Sequence, residues 1–178
     1  MGQAQSEFLS QFKSAFCKRC GETTEWFGGQ GAGNRAALPI SETVRRAGIT
    51  RSGESFELAD LAVTLGKWRV VIEFESGAAL PLSNLLKFWP YVRGELNVQP
   101  THHMILVHFS DWSSYATRRE LWQWTFERMQ EDSKRRVAIE GRQFDHWGAD
   151  EIKRQASIDA AIDWILVKTG YTPSVRTC

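Results

Sequence analysis

The sequence lacks any long apolar segment, and no run approaches the roughly 20 residues that a helix needs to cross a bilayer. Its first residues also lack the basic and then apolar blocks of a signal peptide. Cysteine is scarce, with three in 178 residues. Together these features predict no association with a membrane and a reducing, cytoplasmic compartment in which the thiols are free.

A complete set of zinc ligands is also missing. Cys17 and Cys20 form a Cys-x-x-Cys pair, which is half of a structural zinc site. Cys178, His102 and His103 are the remaining candidates for the other half, and all three are far away along the chain. We therefore expect no zinc and interpret the pair as two thiols at the end of a helix. A four-ligand site that uses the distant residues is the alternative.

The chain has no excess of charge of one sign, with 22 Lys and Arg against 21 Asp and Glu and a net charge of +1. Near-neutrality neither indicates nor excludes nucleic acid, because a local basic cluster can exist on a neutral chain. The glycine-rich segment 21–37 is predicted to be a loop, and no Gly-Lys-Ser/Thr follows it as in a phosphate-binding loop. Repeats, low-complexity tracts and linkers are missing too, so one domain over residues 1–178 is predicted.

Hydrophobic spacing along the chain predicts helices and short strands. The predicted helices cover 6–16, 39–49, 80–96, 113–132 and 149–170, and the predicted strands cover 55–65, 67–76, 102–110 and 135–144. Ser6 is the expected N-cap of the first helix and Pro39 the expected first residue of the second, while Pro90 is expected to interrupt the third. The predicted fold class is α/β (α+β), with a mixed central sheet that contains a three-stranded meander and is flanked by helices.

Two carboxylates, Glu73 and Glu75, lie on one face of the apolar second strand of the predicted hairpin. Like charges on one face repel, and their burial costs several kcal/mol unless something compensates. If residues 65–66 form a two-residue turn, Asp60 pairs with Val71 and lies on the same face, diagonally adjacent to Glu73. A register change of one residue would reverse this assignment.

Three acidic groups on one patch can be interpreted in two ways. A divalent cation would remove their repulsion, and hard oxygen ligands suit Mg²⁺, which also keeps waters for the phosphates of a substrate. Alternatively, this face of the hairpin is open to solvent and the carboxylates stay hydrated. The residue pattern is compatible with both.

The motif resembles that of the PD-(D/E)XK nuclease superfamily, which has the restriction-endonuclease-like fold. Asp60 looks like the motif aspartate and Glu73 looks like the first acid of the signature, while Glu75 stands where the family usually has lysine. A minority of restriction endonucleases carry this Glu-x-Glu variant. The resemblance implies a core of helix, three-stranded meander, helix and strand over about 39–110, with residues 113–170 as a mostly helical C-terminal extension.

The resemblance also implies hydrolysis of phosphodiester bonds in DNA with Mg²⁺ as cofactor and Mn²⁺ as its substitute, as in a restriction or defence nuclease. Glu75 is then the candidate general base, and Lys87 on the following helix is the candidate for a relocated lysine. The implied metal ligands all offer oxygen donors: Asp60, Glu73, the Phe74 carbonyl and Glu42.

The implied partner is DNA, and a homodimer would supply one active site for each strand. The candidate contacts to nucleic acid are basic or hydrogen-bonding residues: Arg45, Arg46, Arg51, Asn84, Lys134, Arg135 and Arg136. Because the usual lysine is missing, the alternative is a catalytically degenerate nuclease-fold subunit that binds nucleic acid or a protein partner. A third interpretation is an unrelated α/β protein with hydrated acids. His108, in an apolar strand, is interpreted as a core histidine.

Overall fold

The computed structural model describes residues 3–21, 26–28, 36–39, 55–75, 82–93, 103–133 and 137–172. Its helices are α1 (Gln3–Cys20), α2 (Leu82–Leu86), α3 (Trp89–Val92), α4 (Ala116–Ser133) and α5 (Glu151–Thr169). Its strands are β1 (Trp26–Gly28), β2 (Ala36–Pro39), β3 (Ser55–Ala59), β4 (Leu61–Leu65), β5 (Trp68–Phe74), β6 (His103–Ser110) and β7 (Ile139–Asp145).

The central sheet has five strands in the order β1-β4-β5-β6-β7. The strands β1, β4 and β5 are antiparallel neighbours, whereas β5, β6 and β7 run parallel. The strands β2 and β3 form a separate two-stranded antiparallel sheet. The predicted mixed α/β class, with helices on a mixed central sheet, is confirmed. The C-terminal part is more than a helical addition, because β7 extends the same sheet.

Apolar side chains cover both faces of the central sheet. The helices α1 and α5 pack on one face through side chains such as Phe12, Phe16 and Ile162. The helices α2, α3 and α4 pack on the other face through side chains such as Leu85, Val92 and Trp122. The sheet is therefore the middle layer of three, and a polar group in its centre has little access to water.

The predicted strand 55–65 is wrong as one continuous strand, because it breaks at Asp60. The part before the break belongs to the small sheet and the part after it to the central sheet. At the break the Asp60 carboxylate accepts a hydrogen bond from the Phe74 backbone N–H at 2.9 Å. The Asp60 side chain therefore satisfies the Phe74 N–H, which has no backbone partner in β4 because that strand begins only at Leu61.

The predicted turn of the hairpin is wrong by one residue. Gly66 is its first residue, with φ of 56°, and Leu65 pairs with Trp68. The primed turns of two-residue hairpins require a positive φ at the first position, and glycine adopts it readily. The pairing is consequently shifted by two residues, which keeps every side chain on its predicted face.

This shift changes the neighbour of Asp60. Val71 pairs with Ala62 rather than with Asp60, and Ile72 pairs with Leu61. Asp60 lies just before that pair, at the break, where its carboxylate accepts from the Phe74 N–H. Asp60 and Glu73 line the same cavity in the structure.

Several other boundaries differ from the prediction. The first helix begins at Gln3 instead of being capped by Ser6, because the preceding Gln-Ala-Gln residues are good helix formers. Pro39 lies in β2 rather than at the start of a helix, since proline is tolerated in an edge strand; residues 40–49 lie outside the described residues. Within the predicted loop 21–37, Trp26–Gly28 forms β1 because the Trp26 ring packs on Phe16.

The remaining predicted elements are present. The third helix is divided into α2 and α3 just before Pro90, as predicted. The strands β6 and β7 and the helices α4 and α5 correspond to the last four predicted segments, and α5 ends at Gly170 with φ of 64°. None of the helices in the described ranges has the length and apolarity that a bilayer crossing requires.

Candidate active site

An acidic cavity lies at one end of the central strands, beside the last residues of β5 and the bend at Asp60 that precedes β4. Its volume is about 310 Å³. Residues from four parts of the chain line it: Gln5, Asp60, Glu73, Phe74, Glu75, Asn84 and Lys87. Five of these were candidate site residues from the sequence, and Asn84 was a candidate contact to nucleic acid.

Glu73 is the most deeply buried acid of this cavity, with 1% of its surface exposed. Its carboxylate forms an ion pair with the ammonium group of Lys87, whose side chain is 17% exposed. Lys87 follows the last residue of α2, so this short helix places the Lys87 ammonium group beside Glu73. A buried carboxylate needs such a partner, because an uncompensated charge there costs several kcal/mol.

Glu75 lies one residue beyond the end of β5 and is partly buried. Burial raises the pKa of the Glu75 carboxyl, and the negative charge of Asp60 raises it further. Asn84 opposes this change in pKa by donating a hydrogen bond from Nδ2 to Oε2 of Glu75 at 3.1 Å. A raised pKa makes the Glu75 carboxylate a stronger base than an ordinary glutamate, which suits it to accept a proton in catalysis.

Gln5 is a residue of this cavity that sequence reasoning missed. It lies in the first turn of α1, and its side-chain amide donates to the Phe74 carbonyl at 3.5 Å. The contact joins residues 69 positions apart, and the predicted helix began only after Gln5. No local pattern in the sequence indicates it, so only the docking of α1 on the sheet brings this side chain to the cavity.

The donor set of the cavity fits a small divalent cation. Asp60 and Glu73 provide carboxylate oxygens, and the Phe74 carbonyl points to the same side of β5 as its N–H, towards Asp60. In the described part of the chain, no group of three or more His, Cys, Asp or Glu side chains is arranged to hold a metal ion. Mg²⁺ commonly binds to one or two carboxylates and keeps several waters, so a two-carboxylate set is sufficient for it.

The other predicted contacts cannot be located. Glu42, Arg45, Arg46, Arg51, Lys134, Arg135 and Arg136 lie outside the described residues. Their assignment as a further metal ligand or as contacts to nucleic acid stays a prediction.

The two cysteines of the Cys-x-x-Cys pair lie in the last turn of α1 and are free thiols. Cys20 packs in the core, and burial raises the pKa of its thiol to about 11. Because zinc binds the thiolate form, this environment disfavours Cys20 as a ligand. The location at the end of a helix agrees with the interpretation from the sequence.

Comparison of the chain with protein-family models, with characterised proteins and with solved structures yields no match. The geometry and chemistry of the acidic cavity are therefore the evidence from which a function can be inferred.

Proposed function

We propose that this protein is a metal-dependent endonuclease that hydrolyses phosphodiester bonds in DNA, with a site of the PD-(D/E)XK kind. The observation that supports the proposal is the convergence of Asp60, Glu73 and Glu75 on one cavity together with the single lysine Lys87. A cation held by carboxylates can polarise a phosphate, and a neighbouring lysine can stabilise the negative charge that develops on it.

The order of elements around the cavity supports a restriction-endonuclease-like core. An antiparallel hairpin of β4 and β5 carries the acids, the short helices α2 and α3 follow, and β6 returns parallel to β5. This order agrees with the second half of the helix, meander, helix and strand arrangement that the resemblance implies. The strand β1 is antiparallel to β4, but β2 and β3 lie between them in the chain, so these three antiparallel strands do not follow the order of a meander.

In this proposal Asp60, Glu73 and the Phe74 carbonyl would hold Mg²⁺. When bound, the ion supplies Lewis-acid polarisation of the phosphate and stabilises charge on the leaving oxygen. Mn²⁺ has similar ligand preferences and replaces it in assays. The buried position of Glu73 keeps one carboxylate in a fixed orientation, which lowers the entropic cost of assembling the site.

The residues of the chain provide the proton transfer and the positioning. The Glu75 carboxylate accepts a proton from the attacking water, whose oxygen forms a bond to phosphorus while the bond from phosphorus to the leaving oxygen breaks. The leaving oxygen then takes up a proton from solvent. Asn84 keeps the Glu75 carboxylate oriented, and the Lys87 ammonium stabilises the negative charge that develops on the phosphate.

Cleavage of plasmid DNA in the presence of Mg²⁺ or Mn²⁺ tests this proposal. We expect cleavage by the wild-type protein and its loss in Asp60→Asn and Glu73→Gln. Asp145→Asn is a matched control for the first variant, because Asp145 also accepts a backbone N–H, from Ser113 at 2.7 Å, but lies outside the cavity. Glu140→Gln is the control for the second, since Glu140 pairs with Lys168 in a more exposed ion pair.

Calorimetric titration with Mn²⁺ provides an independent measurement. We expect binding by the wild-type protein and by both controls, and weaker binding by Asp60→Asn and Glu73→Gln. If the wild-type protein binds neither Mg²⁺ nor Mn²⁺, the proposal is wrong whatever the result with DNA.

The second candidate function is that of a nuclease-fold subunit without catalysis that binds nucleic acid or a protein partner. The ion pair of Lys87 with Glu73 favours it, because the buried carboxylate is already compensated without a metal ion. Binding of DNA in a mobility-shift assay, with no cleavage and no heat of metal binding, would support this candidate over the enzyme.

A further inference from the structure

A buried histidine, His108, lies beside the acidic cavity in the centre of the sheet. It pairs with Glu73 in the parallel ladder of β5 and β6, so the two residues are about 4.8 Å apart between backbones and share one face of the sheet. The His108 side chain is completely buried, as expected for a core histidine. Nothing in the proposed reaction uses it.

Two tryptophans bond to His108, one at its ring and the other at its backbone carbonyl. The indole N–H of Trp122 donates to Nδ1 of His108 at 2.9 Å, and the indole N–H of Trp112 donates to the His108 carbonyl at 3.1 Å. Trp122 is itself stacked on Phe126, with ring centroids 5.1 Å apart. The Phe126 ring lies against Gly141, where any Cβ would overlap it. This packing leaves Trp122 little freedom to move.

The hydrogen bond from Trp122 determines which ring nitrogen carries the proton. An indole N–H can only donate, so Nδ1 must be the acceptor and the proton of a neutral imidazole must be on Nε2. Burial lowers the pKa of His108 to about 3, and the positive charge of Lys87 lowers it further, in agreement with a neutral ring close to the ammonium group. Nε2 is buried and has no hydrogen-bond partner among the described residues.

We propose that His108 is a positioning residue, whose Nε2–H is directed towards the Glu73 carboxylate and donates to it through one buried water. The bonds of the two ring nitrogens diverge, so a ring held by Trp122 on one side directs Nε2–H to the opposite side. A carboxylate has about four lone-pair sites, so Glu73 can accept from His108 and still meet Lys87 and a metal ion. As far as metal binding is concerned, this role rests on the proposed function.

Metal affinity provides the first test. Hydrogen bonds that orient a metal-binding carboxylate are worth about 10- to 100-fold in affinity. We therefore expect His108→Met, which removes the donor but keeps an apolar side chain of similar size, to weaken Mn²⁺ binding by about that factor. His108→Gln places an amide N–H near the position of Nε2 and should restore most of the affinity.

Thr125→Val is the matched control, because the Thr125 hydroxyl is a mostly buried donor on the same helix as Trp122 but bonds to the Leu121 carbonyl instead. This variant should bind Mn²⁺ as the wild-type protein does. Equal affinity in His108→Met and the wild-type protein would overturn the positioning role.

A metal-free measurement separates this proposal from the nuclease proposal. We expect the ¹⁵N spectrum of His108 to show a proton on Nε2 in the wild-type protein and a mixture of tautomers in Trp122→Phe, which keeps an aromatic ring on Phe126. The ¹³C signal of the Glu73 carboxyl should shift in His108→Met and return in His108→Gln. A proton on Nδ1, or an unchanged Glu73 signal, would overturn the role of His108. Failure of the wild-type protein to bind Mn²⁺ would overturn only the nuclease function.

Discussion

At the scale of single residues, the ion pair of Lys87 with Glu73 determines the charge of the acidic cavity. Glu73 is almost completely buried and Lys87 is mostly buried, so solvent screens their attraction weakly. The pair compensates the carboxylate before any metal ion binds. A metal ion would therefore share Glu73 with Lys87 rather than meet an isolated charge.

Lys87→Met should destabilise the metal-free protein by about 3–5 kcal/mol, because it leaves the Glu73 carboxylate buried and uncompensated. Addition of Mn²⁺ should restore part of the free energy of unfolding, by about 2.7 kcal/mol at an ion concentration of 100 times Kd. Urea unfolding with and without the ion measures both effects.

Lys168→Met is the control for this variant, because Lys168 pairs with Glu140 at 3.0 Å where both side chains are more than a third exposed. Its loss should cost about 1 kcal/mol or less. If both variants lose the same stability, the burial of the Lys87 pair has no energetic consequence and the prediction is wrong.

Glu75 is expected to lower the stability of the fold, although the proposed activity depends on it. Burial and the charge of Asp60 raise the pKa of Glu75 in the folded state above its ordinary value of 4.5. The stability that this group contributes is complete below the ordinary pKa and is lost as the pH rises through the raised one. Above the raised pKa, the ionised Glu75 therefore destabilises the fold.

Glu75→Gln should consequently be more stable than the wild-type protein at pH 7 and about equally stable at pH 4, when both are unfolded by urea without divalent ions. If the proposed function is correct, the same variant should lose about 10²- to 10⁴-fold in DNA cleavage, since it lacks the general base. A variant that is less stable than the wild-type protein at pH 7 would contradict this account of Glu75.

At the scale of elements, the turn between β4 and β5 sets the register that brings Asp60 to the Phe74 N–H at the end of β5. Gly66 has a positive φ, and a Cβ at this position would meet no atom within 4 Å. Any cost of replacing it therefore comes from the backbone conformation alone. Gly141 in β7 is the opposite case, because the cost there comes from contact with Phe126.

Gly66→Ala should reduce the free energy of unfolding by about 1–2 kcal/mol, the cost of a left-handed conformation for a residue with a Cβ. Gly66→Asn should cost less, because asparagine tolerates this conformation better. Gly148→Ala, at another open position with φ of 48°, should resemble Gly66→Ala in urea unfolding. A neutral Gly66→Ala would show that the turn does not require glycine.

The helix α1 illustrates how an element contributes to both packing and site. Its buried side chains Phe8, Leu9, Phe12 and Phe16 attach it to the sheet, and this attachment brings Gln5 to the Phe74 carbonyl. The apolar spacing from Phe8 onwards was readable in the sequence. The position of Gln5 depends on which part of the sheet the helix meets, and no local pattern contains that information.

At the scale of the whole molecule, a polar group in the middle layer ties stability to pH. His108 is completely buried between the sheet and α4, and burial lowers its pKa to about 3 from the ordinary 6.5. Below pH 6.5 His108 is protonated in the unfolded chain, whereas in the folded protein it stays neutral down to about pH 3. This histidine therefore lowers the free energy of unfolding progressively across that range.

In His108→Gln the free energy of unfolding should fall less steeply than in the wild-type protein as the pH is lowered from 6.5 to 4. The wild-type slope from this one group cannot exceed about 1.4 kcal/mol per pH unit, the value for one proton. Urea unfolding at several pH values in this range measures the difference between the two proteins. His103→Gln, at the other end of the same strand, is the control; parallel curves for wild-type protein and His108→Gln would refute the prediction.

The sequence by itself determined the order of most elements and the alternation of side chains along the hairpin. Because alternation has a period of two, a turn misplaced by one residue shifted the pairing by two and left the side chains of β4 and β5 on their predicted faces. The break at Asp60 and the approach of Gln5, Asn84 and Lys87 were decided by the tertiary structure. Those contacts join residues that are distant along the chain, and their geometry is set by how helices pack on the sheet rather than by any local pattern.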